Sequence, residues 1–302
     1  MLTIFALPKP FKGHFGIIQR NAISQWTRLC PKPEILLFGD EEGTAEIAQE
    51  FGVRHISEVK RNESGTPLLS DLFDKAHVLA SNNILCYVNS DIMLLGGFMG
   101  ALRQVASWRD LFLMVGRRTN VDLDEPPIYE SAEMEPRLLE LVSREGQLGG
   151  PAWIDYFVFP RGPFSTIPEF AIGRPRWDNW MLWKTRKIDA ALVDATEGVL
   201  AVHQNHDYSH HPQGLAGVLE GEEARQNRRL AGRGYCTIED ANFKLTADGI
   251  KSYRRPILSS AKDVARAWWW ELLRVTDPIR APLGLRRKNI TRVLDRIRLS
   301  MN

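Results

Sequence analysis

The chain has 302 residues, 44% of them hydrophobic and 25% charged, enough apolar material for a large buried core, so a disordered or fibrous chain is excluded. Thirty-nine basic residues nearly balance 37 acidic ones, for a formal charge of +2, which leaves no overall field for binding nucleic acid. The three cysteines, Cys30, Cys86 and Cys236, are odd in number and lack CxxC spacing, which excludes a disulfide framework and a structural zinc site and suits a reducing cytoplasm.

Short apolar runs alternate with helical periods over the first part of the chain, the pattern of a mostly parallel sheet with helices on both faces. Residues 2–7 read as the first strand, since this run has no basic lead and is far shorter than the ~20 residues of a membrane span; no signal peptide is expected. Ile18, Ala22 and Trp26 recur four apart on one face of a helix that Pro31 and Pro33 stop. "EILLFGD" gives a second strand ending at Gly39-Asp40, "TAEIAQEFGV" a helix with a glycine stop at Gly52, and residues 53–56 a short third strand. Thr66 and Pro67 are expected to cap and open the next helix, with Leu68, Leu72, Ala76 and Leu79 as its apolar stripe. "NILCYVNSDIMLL" then reads as one apolar strand with three polar residues, Asn89, Ser90 and Asp91, at its end.

A further helix and the strand "LFLMVG" follow, and beyond Arg117 the polar "TNVDLDEPPIYESAEMEP" reads as a long surface excursion. Aromatic segments, "WIDYFVFP", "RPRWDNWMLWKTR" and "AVHQNHDYSHHPQG", continue the fold. The tail is basic and amphipathic, with Trp268, Trp269 and Trp270 ahead of "LRRKNITRVLDRIRL"; it is either a solvated face or a peripheral contact with the inner face of an anionic membrane. Residues 1–258 are expected to form a catalytic domain, with a donor half of about 1–116 and an acceptor half of about 117–258, and 259–302 a helical appendage.

Ligands of open parallel sheets bind beyond the carboxyl ends of strands, where Asn89, Ser90 and Asp91 are expected. A carboxylate there can share Mn²⁺ or Mg²⁺ with a substrate diphosphate, although the same three residue types also make ordinary turns. Asp178, among Trp177, Asn179 and Trp180, has the low-dielectric surroundings that raise a carboxyl pKa and suit a general base; a helix-start carboxylate with packing tryptophans is the plain alternative. Asp155 is a second candidate, as base or acceptor contact. "HQNHDYSHH" carries four of the seven histidines. Of these, His206 and then His203 are the candidate metal ligands, against a hydrogen-bonded surface loop.

In these segments the chain resembles the GT-A glycosyltransferases. "YVNSDIML" is similar to their DxD-type segment, with Asn89 in place of the first aspartate, and the preceding order of strands and helices matches over about residues 1–210. The resemblance implies transfer of a sugar from a nucleotide-sugar donor to a glycan or glycolipid acceptor, in cell-surface glycan synthesis, with Asp178 as the base of an inverting reaction. It also implies that a late histidine completes the metal shell, that Ala6, Leu7 and Pro8 flank the donor base, that Asp40 contacts the nucleoside, and that Arg61 and Lys75 offset phosphate charge. A nucleotidyltransferase making the activated sugar is disfavoured, because "PKPFKGHFG" after the first strand is not a glycine-rich phosphate loop. A non-catalytic nucleotide-sugar-binding module remains the alternative from another class.

Overall fold

Every residue of β1 (Leu2–Ala6) is buried, as a strand covered on both faces requires. α1 (Gly13–Thr27) leads to β2 (Glu34–Phe38), and α2 (Thr44–Phe51), closed by left-handed Gly52 at φ 62°, leads to β3 (Arg54–Ile56). The three strands pair in parallel. The computed structural model describes residues 2–95, 97–123, 134–206 and 214–253. The chain divides after Tyr253, and the expected tail helix of 259–302, with His210 and His211, lies outside the described residues.

α3 (Leu69–Leu79) buries Leu69, Leu72, Phe73 and Ala76 and returns the chain to β4 (Ile84–Val88), parallel to β1. The cap expected at Thr66 and Pro67 does not form. Leu68 holds the N-cap position, and Pro67 forms an antiparallel bridge opposite Arg61. The physical reason is local: the Asn62 side-chain oxygen accepts the backbone N–H of both Ser64 and Thr66, and Leu68 N donates to Lys60 O, so a turn claims these residues before the helix begins.

The single strand expected from "NILCYVNSDIMLL" is two. β4 ends at Val88, a turn closes with Ile92 N donating to Asn89 O, and β5 (Ile92–Leu95) enters a different sheet. The chain continues through α4 (Phe98–Trp108), β6 (Phe112–Val115), β7 (Arg118–Val121), α5 (Met134–Glu145), β8 (Gln147–Leu148) and β9 (Tyr156–Pro160). Then come α6 (Trp177–Lys187), β10 (Ala191–Asp194), β11 (Leu200–Gln204), α7 (Gly214–Glu220), α8 (Glu222–Ala231), β12 (Phe243–Thr246) and β13 (Gly249–Ser252).

Among the described residues the large sheet has nine strands in the order β13-β12-β10-β6-β9-β4-β1-β2-β3, parallel except where β9 and β13 run against their neighbours. The result is the expected mixed α/β fold with a mostly parallel sheet flanked by helices. Alternation along the strands separates two cores. Ile4, Leu37 and Val88 face one with Trp26 of α1, and Phe5, Phe38 and Tyr87 face the other with Trp177 and Trp180 of α6. The second sheet, β5-β11-β7-β8, packs through β5 against α1, where the Trp26 indole donates to Ile92 O at 2.9 Å. Among the described residues no helix is long and apolar enough to cross a membrane.

Candidate active site

The chain leaves the large sheet at Asn89, Ser90 and Asp91, and that departure builds the site. β5 pairs antiparallel with β11 so that Ile92 lies opposite His203, which sets His203 beside Asp91. Gln204, at the end of β11, turns its amide nitrogen to Asp91 O at 3.2 Å. His206, two residues on, places Nε2 3.1 Å from Asp91 Oδ2, and His203 Nε2 lies 3.9 Å from the same oxygen. One donor atom from each of the three residues falls within 4.8 Å of the others.

These side chains are nearly closed off, at 14% exposure for Asp91, 8% for His203 and 7% for His206. Burial alone would raise the Asp91 carboxyl, but the His206 hydrogen bond and the fields of His203 and Lys9 outweigh it and hold the group well below the usual carboxylate range. Burial holds His203 below the ordinary histidine range despite the pull of Asp91, which favours the neutral imidazole, the form that binds metals. Asp91 Oδ1 and His203 Nδ1 are sealed from solvent and have no hydrogen-bond partner. Buried polar atoms are rarely left so. An ionised carboxylate with two imidazoles and vacant donor capacity fits a divalent cation.

Asn89 and Ser90 lie in the same turn. The Asn89 amide donates to Asp155 Oδ1 at 2.7 Å, while its side-chain oxygen accepts from the Tyr87 hydroxyl at 3.1 Å. Asp155 Oδ2 receives Arg118 Nη1 at 3.1 Å, so both oxygens of Asp155 are engaged. A carboxylate at position 89 would face Asp155 at hydrogen-bond distance. Asn89→Asp is expected to destabilise the fold by about 1–3 kcal/mol, read as a lower urea midpoint at pH 7; an unchanged midpoint would show that Asn89 and Asp155 are not locked together. Ser90 is 6% exposed, its hydroxyl without a partner.

Asp178 opens α6 in its first turn. Burial, reinforced by the nearby Asp155 charge and opposed by backbone N–H groups of residues 176, 178 and 179, pushes its carboxyl up to about 6. Its Oδ1 has no partner. The neighbouring indoles pack into the core, Trp177 against Tyr87 and Phe157 and Trp180 against Phe170.

The remaining expected residues lie along the ends of the first strands. Ala6 and Pro8 are buried and Leu7 half-buried. Exposed Asp40 is bound by Arg61 at 2.6 Å, and Arg61 also meets Glu41 and Gly65 O. Lys75 is held by Asp71 at 2.8 Å and Glu58 O at 2.7 Å. The structure therefore brings Asn89, Ser90, Asp91, Asp155, His203 and His206 together, links Asp178 to them through Asp155, and pairs Asp40 with Arg61; Lys75 pairs on its own helix.

Two neighbours of the cluster were not singled out from sequence. Lys9, whose field reaches Asp91, sits 4.4 Å over the Phe15 ring, which in turn packs on His206. Its signal was the basic-aromatic loop after β1, "PKPFKGHFG". Arg118 had none, being one basic residue in a polar stretch. A cavity of about 450 Å³ lined by Gln25, Leu95, Phe98 and Arg103 contains none of these residues.

No protein-family model matches the sequence, and no curated protein matches it. Among solved structures, the chain is similar to Mycobacterium tuberculosis glucosyl-3-phosphoglycerate synthase in complex with Mn²⁺, uridine diphosphate and phosphoglyceric acid, at 15% identity and a TM-score of 0.46 over 85% of this chain and 88% of that one. It is also similar to S. aureus TarS 1-349 in complex with UDP-GlcNAc, at 11% identity and a TM-score of 0.46, covering 76% of this chain and 65% of that one. For the mannosyltransferase PcManGT from Pyrobaculum calidifontis, in complex with GDP-Man and Mn²⁺, the values are 11% and 0.41 over 67% and 56%. These neighbours are GT-A glycosyltransferases. The fold and site of this chain define a mixed α/β protein with an Asp–His–His cluster and a buried carboxyl at the strand ends.

Proposed function

We propose that this chain is a nucleotide-sugar-dependent glycosyltransferase that inverts the configuration of the transferred sugar. The observation that carries this is the convergence of Asp91, His203 and His206 at the carboxyl end of β4, with Asp178, whose burial keeps it close to its protonation midpoint near neutral pH, coupled to the group through the charge of Asp155.

Asp91, with His206 and His203, would hold Mn²⁺ or Mg²⁺, and the two imidazoles favour Mn²⁺. A cation there supplies positive charge against the diphosphate that leaves the sugar. The donor base lies along Ala6, Leu7 and Pro8, and Asp40, fixed by Arg61, meets the nucleoside. Asn89 and Ser90 frame the approach to the cluster. Lys9 faces the diphosphate, a role Lys75 does not take while it is bound to Asp71 and Glu58 O. Asp178 takes the proton of an acceptor hydroxyl, that oxygen forms the bond to the anomeric carbon, and the bond to the diphosphate breaks with its electron pair leaving on the nucleotide. Asp155, with both oxygens engaged, positions Asn89 and Arg118 and is not the base. The acceptor is a glycan or glycolipid of the cell surface.

A panel of nucleotide sugars incubated with the protein, with and without Mn²⁺, tests this. Release of nucleoside diphosphate from one donor, at least about tenfold faster with metal, is the expected result. Tight binding of a donor without turnover in any acceptor mixture would make the protein a binding module.

A further inference from the structure

Beside Asp178 the structure gathers features that neither donor nor metal uses. Arg176, the residue before α6, has φ 92° and ψ −27°, a left-handed conformation that glycine adopts at ease and arginine does not. Such strain costs about 1–3 kcal/mol, persists only where the surrounding structure holds it, and clusters at functional sites. The Arg176 guanidinium lies 4.6 Å over the ring of Tyr235, which is 45% exposed. It makes no ion pair with a described residue. It stands two residues from Asp178, its backbone N–H serves that carboxyl, and its charged head lies over the tyrosine.

A second aromatic with its own arginine stands close by. Trp153 is 50% exposed, and Arg118 lies 4.9 Å over its ring. Arg118 reaches Asp155 with Nη1, while its Nε is sealed and without a partner. Backbone bonds join the two groups: Ile238 N donates to Pro151 O at 3.1 Å, and Cys236 N donates to Asn179 O at 3.2 Å, tying the Tyr235 segment both to the Trp153 turn and to the first turn of α6. Exposed rings carrying stacked guanidiniums beside a buried carboxyl combine a platform for a sugar ring with planar donors suited to a carboxylate or phosphate.

We propose that Arg176 selects the acceptor: the acceptor is a glycoside bearing an anionic substituent, which Arg176 receives while the sugar ring lies against Tyr235 and Trp153 with a hydroxyl toward Asp178. This rests on the glycosyltransferase reading for its link to catalysis. The anion site itself is testable without turnover.

Two matched probe pairs are used on the full chain, methyl glucuronoside against methyl glucoside and glucose 6-phosphate against glucose, with binding followed by tryptophan fluorescence and saturation-transfer NMR. The charged member of at least one pair is expected to bind about tenfold tighter, and the pair with the larger advantage distinguishes carboxylate from phosphate. Arg176→Met is expected to erase the advantage, and Arg176→Lys to retain part of it. Equal binding of charged and neutral members by the native protein overturns the proposal, as does an advantage that survives in Arg176→Met shown to be folded by circular dichroism. Charged probes that depend on Arg176 in a protein that turns over no nucleotide sugar would leave the anion site standing and remove the glycosyltransferase reading.

Discussion

Asp178→Asn is expected to lower the rate of sugar transfer by about three orders of magnitude while leaving donor affinity where it was. Asparagine keeps the shape and the backbone hydrogen bonds of the α6 first turn but cannot take a proton. Two pH measurements bear on the same carboxyl. The transfer rate of the native protein should rise with pH through about 6 and then level, because only the ionised form is a base. Stability should move the opposite way. A carboxyl whose folded pKa lies above its unfolded value contributes stability that is complete below about pH 4 and is lost as pH rises through about 6. At pH 7 the native chain thus carries an unfavourable charge on this largely buried carboxyl, worth about 2–3 kcal/mol, and the asparagine variant should be the more stable by about that amount. Near pH 4 the two should be equally stable. Urea denaturation at the two pH values checks this; a variant less stable than the native chain at pH 7 would mean that Asp178 is a stabilising helix-start carboxylate instead.

Asp91→Ala is expected to weaken metal-dependent donor binding by more than about a hundredfold and to leave whatever affinity the donor has without metal. His206→Ala should follow in the same direction with a smaller loss, since Asp91 and His203 remain. Asp91 supplies the cluster's only carboxylate, so no rearrangement of the two imidazoles replaces it. Isothermal titration with the donor found in the nucleotide-sugar panel, in Mn²⁺ and in a chelator, separates the two components; equal donor affinity in native and Asp91→Ala protein would remove the metal assignment.

Local signals carried much of the first half of the fold. The four-residue recurrence of Ile18, Ala22 and Trp26 places one face of α1 against the sheet, and Gly52 ends α2, because periodicity and positive φ are properties of short segments. The break between β4 and β5 was not legible. Residues 84–95 are apolar on both sides of the polar triplet, and what draws β5 into the second sheet is pairing with β11, more than a hundred residues on. The same long-range register gives His203 its place beside Asp91, whereas sequence offered only a histidine-rich stretch. Thr66 and Pro67 had the residue types of a helix start, yet Asn62 captured the Thr66 backbone first. Asn89 reads in sequence as a lost aspartate, and only the cross-strand neighbour Asp155 supplies a reason for an amide there. Arg118 reaches the site from β7, a polar stretch in which no local pattern marks it, whereas Lys9 belongs to the basic-aromatic loop after β1.

The most direct measurement is Mn²⁺ uptake by the full chain and by Asp91→Ala, followed through the loss of the free-ion electron paramagnetic resonance signal. One saturable ion per native chain, abolished by the substitution, is the predicted result. Uptake that is the same in both proteins, or none by the native chain even with nucleoside diphosphates present, would contradict a cation held by Asp91, His203 and His206.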